Sequence, residues 1–221
     1  MNLPYTLLPL WLHGLASLLF ALIFLQAIRR ADWRRFKDKE QLHLLLGSCV
    51  LLLLIWSLKA GIKPGLDFHL LGATLFMLMY GWEVAFVALG VVLTASVIGG
   101  FVPWQSLAVN ALLMGALPVL FTHWVYRLAL WFLPHNFFIY VLVNGFLCAG
   151  LGLALMTIAA SALLLSFGVY GLHIITQSYL LYIPFMMFGE GFLTGMVIAS
   201  MVLMKPHWLL TFDDRLYIAG K

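Results

Sequence analysis

The sequence predicts an all-α, polytopic membrane fold of about seven transmembrane helices, on three observations. Hydrophobic residues fill 64% of the 221 positions and charged residues only 9%, so several separate runs reach the ~20 apolar residues that cross a bilayer core. Polar, Gly and Pro residues punctuate those runs at helix-length intervals. The cations gather in a few places along the chain. The first observation alone excludes a soluble globular domain.

The first apolar segment, 7–28, has no Lys or Arg ahead of it and no small-residue cleavage site before Arg29, so it reads as a permanent span and not as a secretory signal. A basic loop, 29–42, leads to the second segment, 43–58. The third, 69–81, is short for a full crossing and is expected to be buried or broken. The fourth covers 83–99. The fifth, 105–131, and the sixth, 138–167, are long and expected to tilt or kink, with Pro118 removing a backbone donor from the fifth. The seventh, 177–204, ends in the tail 205–221. Loop and tail are too short to fold alone, so residues 1–221 read as one integral-membrane domain.

Of the twelve Lys and Arg, ten fall on one side of a seven-crossing chain: Arg29, Arg30, Arg34, Arg35, Lys37, Lys39, Arg127, Lys205, Arg215 and Lys221. Only Lys59 and Lys63 fall opposite. The positive-inside rule therefore places the N-terminus outside and the C-terminus in the cytoplasm, as in a multi-pass inner-membrane protein. The net charge of +4 reads as topology and anchoring to the lipid bilayer, with no nucleic-acid partner.

Sorting the polar residues by depth brings His13, Asp67, His69 and His173 to the outer face. Carboxylate and imidazole two residues apart, as in Asp67-Phe-His69, can face one ion where the chain is extended or turning, and such donors suit a borderline divalent transition metal. A hydrogen-bonded interfacial histidine is the plainer alternative for each. Glu190 lies inside the last apolar run, where a charge is costly. It is a protonated or hydrogen-bonded packing residue, the holder of a polar network beneath the outer site, or the carrier of a proton that moves during transport, with Asn110, Asn144, Gln177 and Thr194 as candidate partners. Gly14, Ser17 and Ala21 on the first span, with Gly191 and Gly195 on the last, are small enough for close helix packing. The ten methionines read as apolar filler, and Cys49 and Cys148 as small hydrophobes. No His-Glu-x-x-His, Gly-x-Ser-x-Gly, Walker loop or Cys-x-x-Cys occurs, so the chain is not expected to be an enzyme.

The stretch Phe68-His-Leu-Leu-Gly-Ala-Thr-Leu75, then Gly99-Gly100, then Ala108-Val-Asn-Ala-Leu-Leu-Met-Gly115, and finally Gly189-Glu-Gly191 with Thr194 resembles the CbiM/NikM family, the membrane substrate-binding components of energy-coupling-factor (ECF) transporters for cobalt and nickel. The resemblance runs from the first helix to about Pro206. It implies a seven-helix fold with an external N-terminus. It also implies chelation of the metal by the N-terminal amine, by a histidine at position 2 and by the histidine heading the His-Leu-x-Gly motif, here His69. The implied partners are a transmembrane coupling subunit and cytoplasmic ATPases. The second span carries Gly47 and Ser48 but no clear alanine stripe for docking to them.

This chain departs from that pattern at its start, which reads Met1-Asn2, and at Phe68, where the family usually has a small residue. Three consequences compete. Met1, Asn2 and His69 can still hold nickel or cobalt when supplemented by Asp67 or His13; the pocket can serve another small solute; or the protein can be a non-transporting assembly or interaction partner. Capture of a divalent metal ion on the periplasmic side near His69 is the leading expectation, with no tightly bound cofactor.

Overall fold

The computed structural model describes residues 3–58, 60–61 and 63–217. Among them six helices are long and apolar enough to cross a bilayer: α1 (Leu10–Arg30), α2 (Lys39–Ser57), α3 (Ala73–Ile98), α4 (Trp104–Phe132), α5 (Phe137–Ser166) and α6 (Leu172–Met204). Local signals set several of their ends. The Asp38 side chain accepts the Glu40 N–H at the start of α2, and Asn136 accepts the Ile139 N–H at 2.8 Å at the start of α5, each satisfying a donor that the first helical turn leaves open. Arg29 and Arg30 close the last turn of α1, where cations oppose the negative end of the helix dipole.

Helix α3 is the centre of the bundle. In its most apolar window 78% of residues are buried, against 17% in α1 and in α2, as expected of a helix that is hydrophobic on every side. It is broken at Gly81, with φ 80° and ψ 165°, a conformation essentially confined to glycine. The break reverses the chain. Residues 73–80 run toward the basic loop, where Arg35 reaches the Met79 carbonyl, and residues 82–98 return toward Phe101–Pro103, which share a pocket with Leu3 and Asp67. The third and fourth segments expected from the sequence are these two arms.

The arm 73–80 is only about 12 Å long at 1.5 Å per residue, far less than the ~30 Å hydrocarbon core. The chain must therefore dip into the bundle before the arm begins. The segment ahead of it contains a two-stranded antiparallel ladder, β1 (Ala60–Gly61) with β2 (Asp67–Phe68), Gly61 opposite Asp67.

Two stretches are wound as π-helix, Ala111–Ala116 in α4 and Tyr140–Leu147 in α5. Pro118 lies two residues past the end of the first, and the wider winding just ahead of it accommodates its missing N–H so that α4 continues to Phe132. Helices α5 and α6 approach closely: a Cβ at Gly191 would lie 2.6 Å from the Phe146 carbonyl oxygen, and one at Gly150 would lie 2.9 Å from that of Met187.

Candidate functional site

The two chain segments that carry the sequence-predicted ligands are each held by a buried side chain from a distant helix. The first is the N-terminal segment. Met1 and Asn2 lie outside the described residues, but Leu3 is anchored by Asn110 of α4. The Asn110 Oδ1 accepts the Leu3 N–H at 2.9 Å, and its Nδ2 donates to the Leu3 carbonyl at 3.3 Å. Asn110 is 1% exposed, so both bonds form away from water, where leaving them unmade is costly. His13, buried on α1, faces the Tyr5 carbonyl through Nε2 at 3.1 Å. A carbonyl can only accept, so Nε2 donates; Nδ1 has no hydrogen-bond partner among the described residues.

The second segment is 67–72. Phe68 stacks on Tyr179 at 4.8 Å between ring centroids and meets Tyr182 edge-on, so a bulky residue is accommodated beside His69 by two rings of α6. His69 is buried, with its ring 5.7 Å from that of Trp56 on α2. Its Nδ1 lies 3.1 Å from the Leu70 carbonyl, so Nδ1 carries a proton; in the neutral imidazole the lone pair then belongs to Nε2, the atom through which such a ring ligates a metal. The Trp56 indole N–H donates to the same Leu70 carbonyl at 3.0 Å.

Glu190 closes this segment from beneath. Its Oε2 accepts the Leu71 N–H at 2.8 Å and its Oε1 accepts the Gly72 N–H at 2.8 Å. Both N–H groups precede the arm 73–80, so the carboxylate caps the positive end of a helix that begins inside the bundle. Gly72 has φ +68°, and a Cβ there would come within 2.9 Å of the Leu52 side chain. Only glycine allows the chain to turn from His69 into the arm at this point.

The sequence-predicted residues thus divide between two clamps. Asn110, offered by the sequence as a partner for Glu190, instead holds Leu3. Thr194 is buried one turn beyond Glu190 and lines the same cavity. Asp67 lies in β2, where a Cβ on Gly61 would collide with its carboxylate. Gln177 and His173 are exposed at the start of α6. Asn144 is 1% exposed, with neither amide atom hydrogen-bonded among the described residues. Among the described residues no three His, Cys, Asp or Glu side chains gather as a metal-holding group, so His69, Asp67 and His13 do not form a closed site by themselves.

The opposite end of the arm carries residues that sequence reasoning missed. Arg35 donates to the carbonyls of Met79 at 3.0 Å, His207 at 3.1 Å and Trp208 at 3.3 Å. Burial lowers its pKa from the ordinary arginine value. The Leu78 carbonyl accepts both the Thr211 hydroxyl at 2.9 Å and the Thr211 N–H at 3.3 Å. Nothing marks Arg35 in sequence among the other cations of its loop.

The sequence profile of the family described as "Cobalt uptake substrate-specific transmembrane region", CbiM, matches residues 2–208. The chain belongs to the CbiM family. Two crystal structures share the fold of this CbiM member. One, described as a truncated transition metal transporter, superposes with a TM-score of 0.76 at 18% identity, covering 92% of this chain and 98% of that one. The other, described as a transition metal transporter, gives 0.74 at 18% identity, covering 92% and 93%. No curated protein matches this CbiM sequence. The family profile spans both clamps, from the residues that Asn110 anchors to the helix that carries Glu190.

Proposed function

We propose that this CbiM-family protein is the substrate-capture component of a divalent transition-metal uptake transporter, taking nickel or cobalt on the periplasmic side of the inner membrane. His69 is the principal side-chain ligand. The N-terminal amine of Met1 and the backbone or side chain of Asn2 complete the set with it, and Asp67 or His13 supplements them. A coupling subunit and cytoplasmic ATPases supply the energy, and the chain itself catalyses no reaction. The single observation that carries this reading is the pair of clamps: Asn110 fixes the residue next to Met1-Asn2, and Glu190 fixes the residues next to His69.

The arm 73–80 supports a route for inward transfer. Its outer end is bonded to Glu190, its inner end to Arg35 and Thr211, and a positive-φ glycine stands at each end, Gly72 and Gly81. A partner that shifts the basic loop or the tail therefore pulls on the segment that carries His69.

The decisive experiment is elemental analysis of the detergent-purified, N-terminally untagged protein loaded separately with nickel, cobalt, zinc and copper, beside His69→Ala. Near-stoichiometric metal that is lost in the variant supports capture. No metal in any case overturns it. The second reading, a non-transporting assembly protein, draws on Asn2 in place of the family histidine and predicts a stable partner complex without metal.

A further inference from the structure

A long apolar groove of about 450 Å³ runs between α2 and α6 with the arm 73–80 as its floor. Gly47, Leu51, Phe76, Met79, Val197 and Met201 line it. Of the polar groups that border it, Glu190 is engaged by Leu71 and Gly72 and Ser48 by Tyr80 and the Leu45 carbonyl, leaving Thr194 on one wall and His43 at one end. The rest of what the groove presents is hydrocarbon. Gly47 opens straight onto this space, since a Cβ there meets nothing within 4 Å.

A slender chain fits. At the end toward the basic loop the groove is bordered by His43, which is exposed, and the exposed Lys39 lies one helical turn before it on α2. Of the two acidic residues that flank Lys39, Asp38 accepts the Glu40 N–H at 3.3 Å, and Glu40 is occupied by Lys205 at 3.5 Å, by the Trp208 indole N–H at 2.8 Å and by His207. Lys39 and His43 are left to face an anion at the level where a phospholipid headgroup sits.

We propose that this groove is a binding site for one anionic phospholipid of the leaflet on the basic-loop side, an acyl chain lying between α2 and α6 and the phosphate at Lys39 and His43. The bound chain packs on Phe76 and Met79 and so braces the arm whose two ends are held by Glu190 and Arg35.

The test uses the full chain reconstituted in phosphatidylcholine vesicles doped with phosphatidylglycerol that carries a diazirine on one acyl chain. The same diazirine chain on phosphatidylcholine serves as the comparison, and labelled peptides are mapped by mass spectrometry. Phosphatidylglycerol should label residues 43–55 and 193–201 several-fold more than phosphatidylcholine does. Gly47→Phe should remove most of that labelling, the circular-dichroism melt confirming a folded protein. Lys39→Ala with His43→Ala should leave chain labelling but lose the headgroup preference, by about fivefold for the lysine. Equal labelling by both lipids, labelling spread evenly over the exposed face of α1, or labelling indifferent to Gly47→Phe would each overturn the proposal. So would a change of oligomeric state on Gly47→Phe with lipid labelling intact, which would make the groove a seat for a second copy.

Discussion

Glu190 and Arg35 bind opposite ends of the same short helical arm, residues 73–80, the carboxylate at the N–H groups that lead into it and the guanidinium at the Met79 carbonyl near its C-terminus. Each group complements the helix dipole at its own end, acceptor oxygens facing the N–H groups and a cation facing a carbonyl. The arm is thereby fixed lengthwise, with His69 just ahead of it and the tail 205–211 just beyond it.

Glu190→Leu should leave the Leu71 and Gly72 N–H groups buried without acceptors, at about 1–3 kcal/mol each. Glu190→Gln retains one acceptor and turns its amide N–H₂ toward the other donor, so it should fall between Leu and wild type. Melting temperature in detergent, read with metal retention, checks the order; a Leu variant as stable as wild type would refute the capping role.

Arg35→Lys should fail to replace arginine, because one ammonium cannot match a planar fork that reaches three carbonyls on two segments. Hydrogen–deuterium exchange should rise at the amides of Leu210 and Thr211 in both Arg35→Lys and Arg35→Ala. Unchanged protection there would mean that Arg35 does not hold the tail.

Gly72→Ala and Gly81→Ala should each destabilise by about 1–2 kcal/mol or more from backbone strain at positive φ, with the Leu52 contact adding to the first. Gly47→Ala, on ordinary helix with open space beside it, should be neutral or slightly stabilising. The three melts form one internally controlled series.

Asn144 and Asn110 should respond oppositely to leucine. Asn144→Leu removes an amide whose two polar atoms have no partner among the described residues and should stabilise the fold by about 1–3 kcal/mol. Asn110→Leu strands the Leu3 N–H and C=O and should destabilise by a similar amount. Thermal melts of the pair, side by side, decide this.

Metal retention should fall as pH drops through about 6, because an imidazole must be neutral to ligate and the reference histidine pKa is ~6.5. The proton competes with the metal for the same lone pair, so the loss lies on the acid side only. Flat retention between about pH 8 and pH 5 would argue against ligation by His69.

The apolar runs made the spans legible, because bilayer thickness sets a length that composition alone can meet. The short third segment was legible for the same reason, since 69–81 is too brief to cross. Glu190 stood out because a carboxylate in a hydrocarbon run has no cheap explanation. Its partners did not stand out: they are the backbone N–H groups of Leu71 and Gly72, and every residue except proline has one. Asn110 was visible as a polar residue in α4, but its partner is the backbone of Leu3, 107 positions away. Arg35 was hidden by its neighbours, because a sequence cannot say which of several loop cations turns inward.

The close approach of α5 and α6 has a mechanical consequence. With Gly191 against the Phe146 carbonyl and Gly150 against that of Met187, neither helix can slide or rotate past the other without driving backbone into backbone. They form a single stave, and Glu190, next to Gly191, welds the His69 segment to it. Helices α1 and α2 lean instead on α3, with Ser48 and Trp56 of α2 pinned to Tyr80 and to the Leu70 carbonyl, so the central helix is the keel through which the stave and these two outer helices are joined.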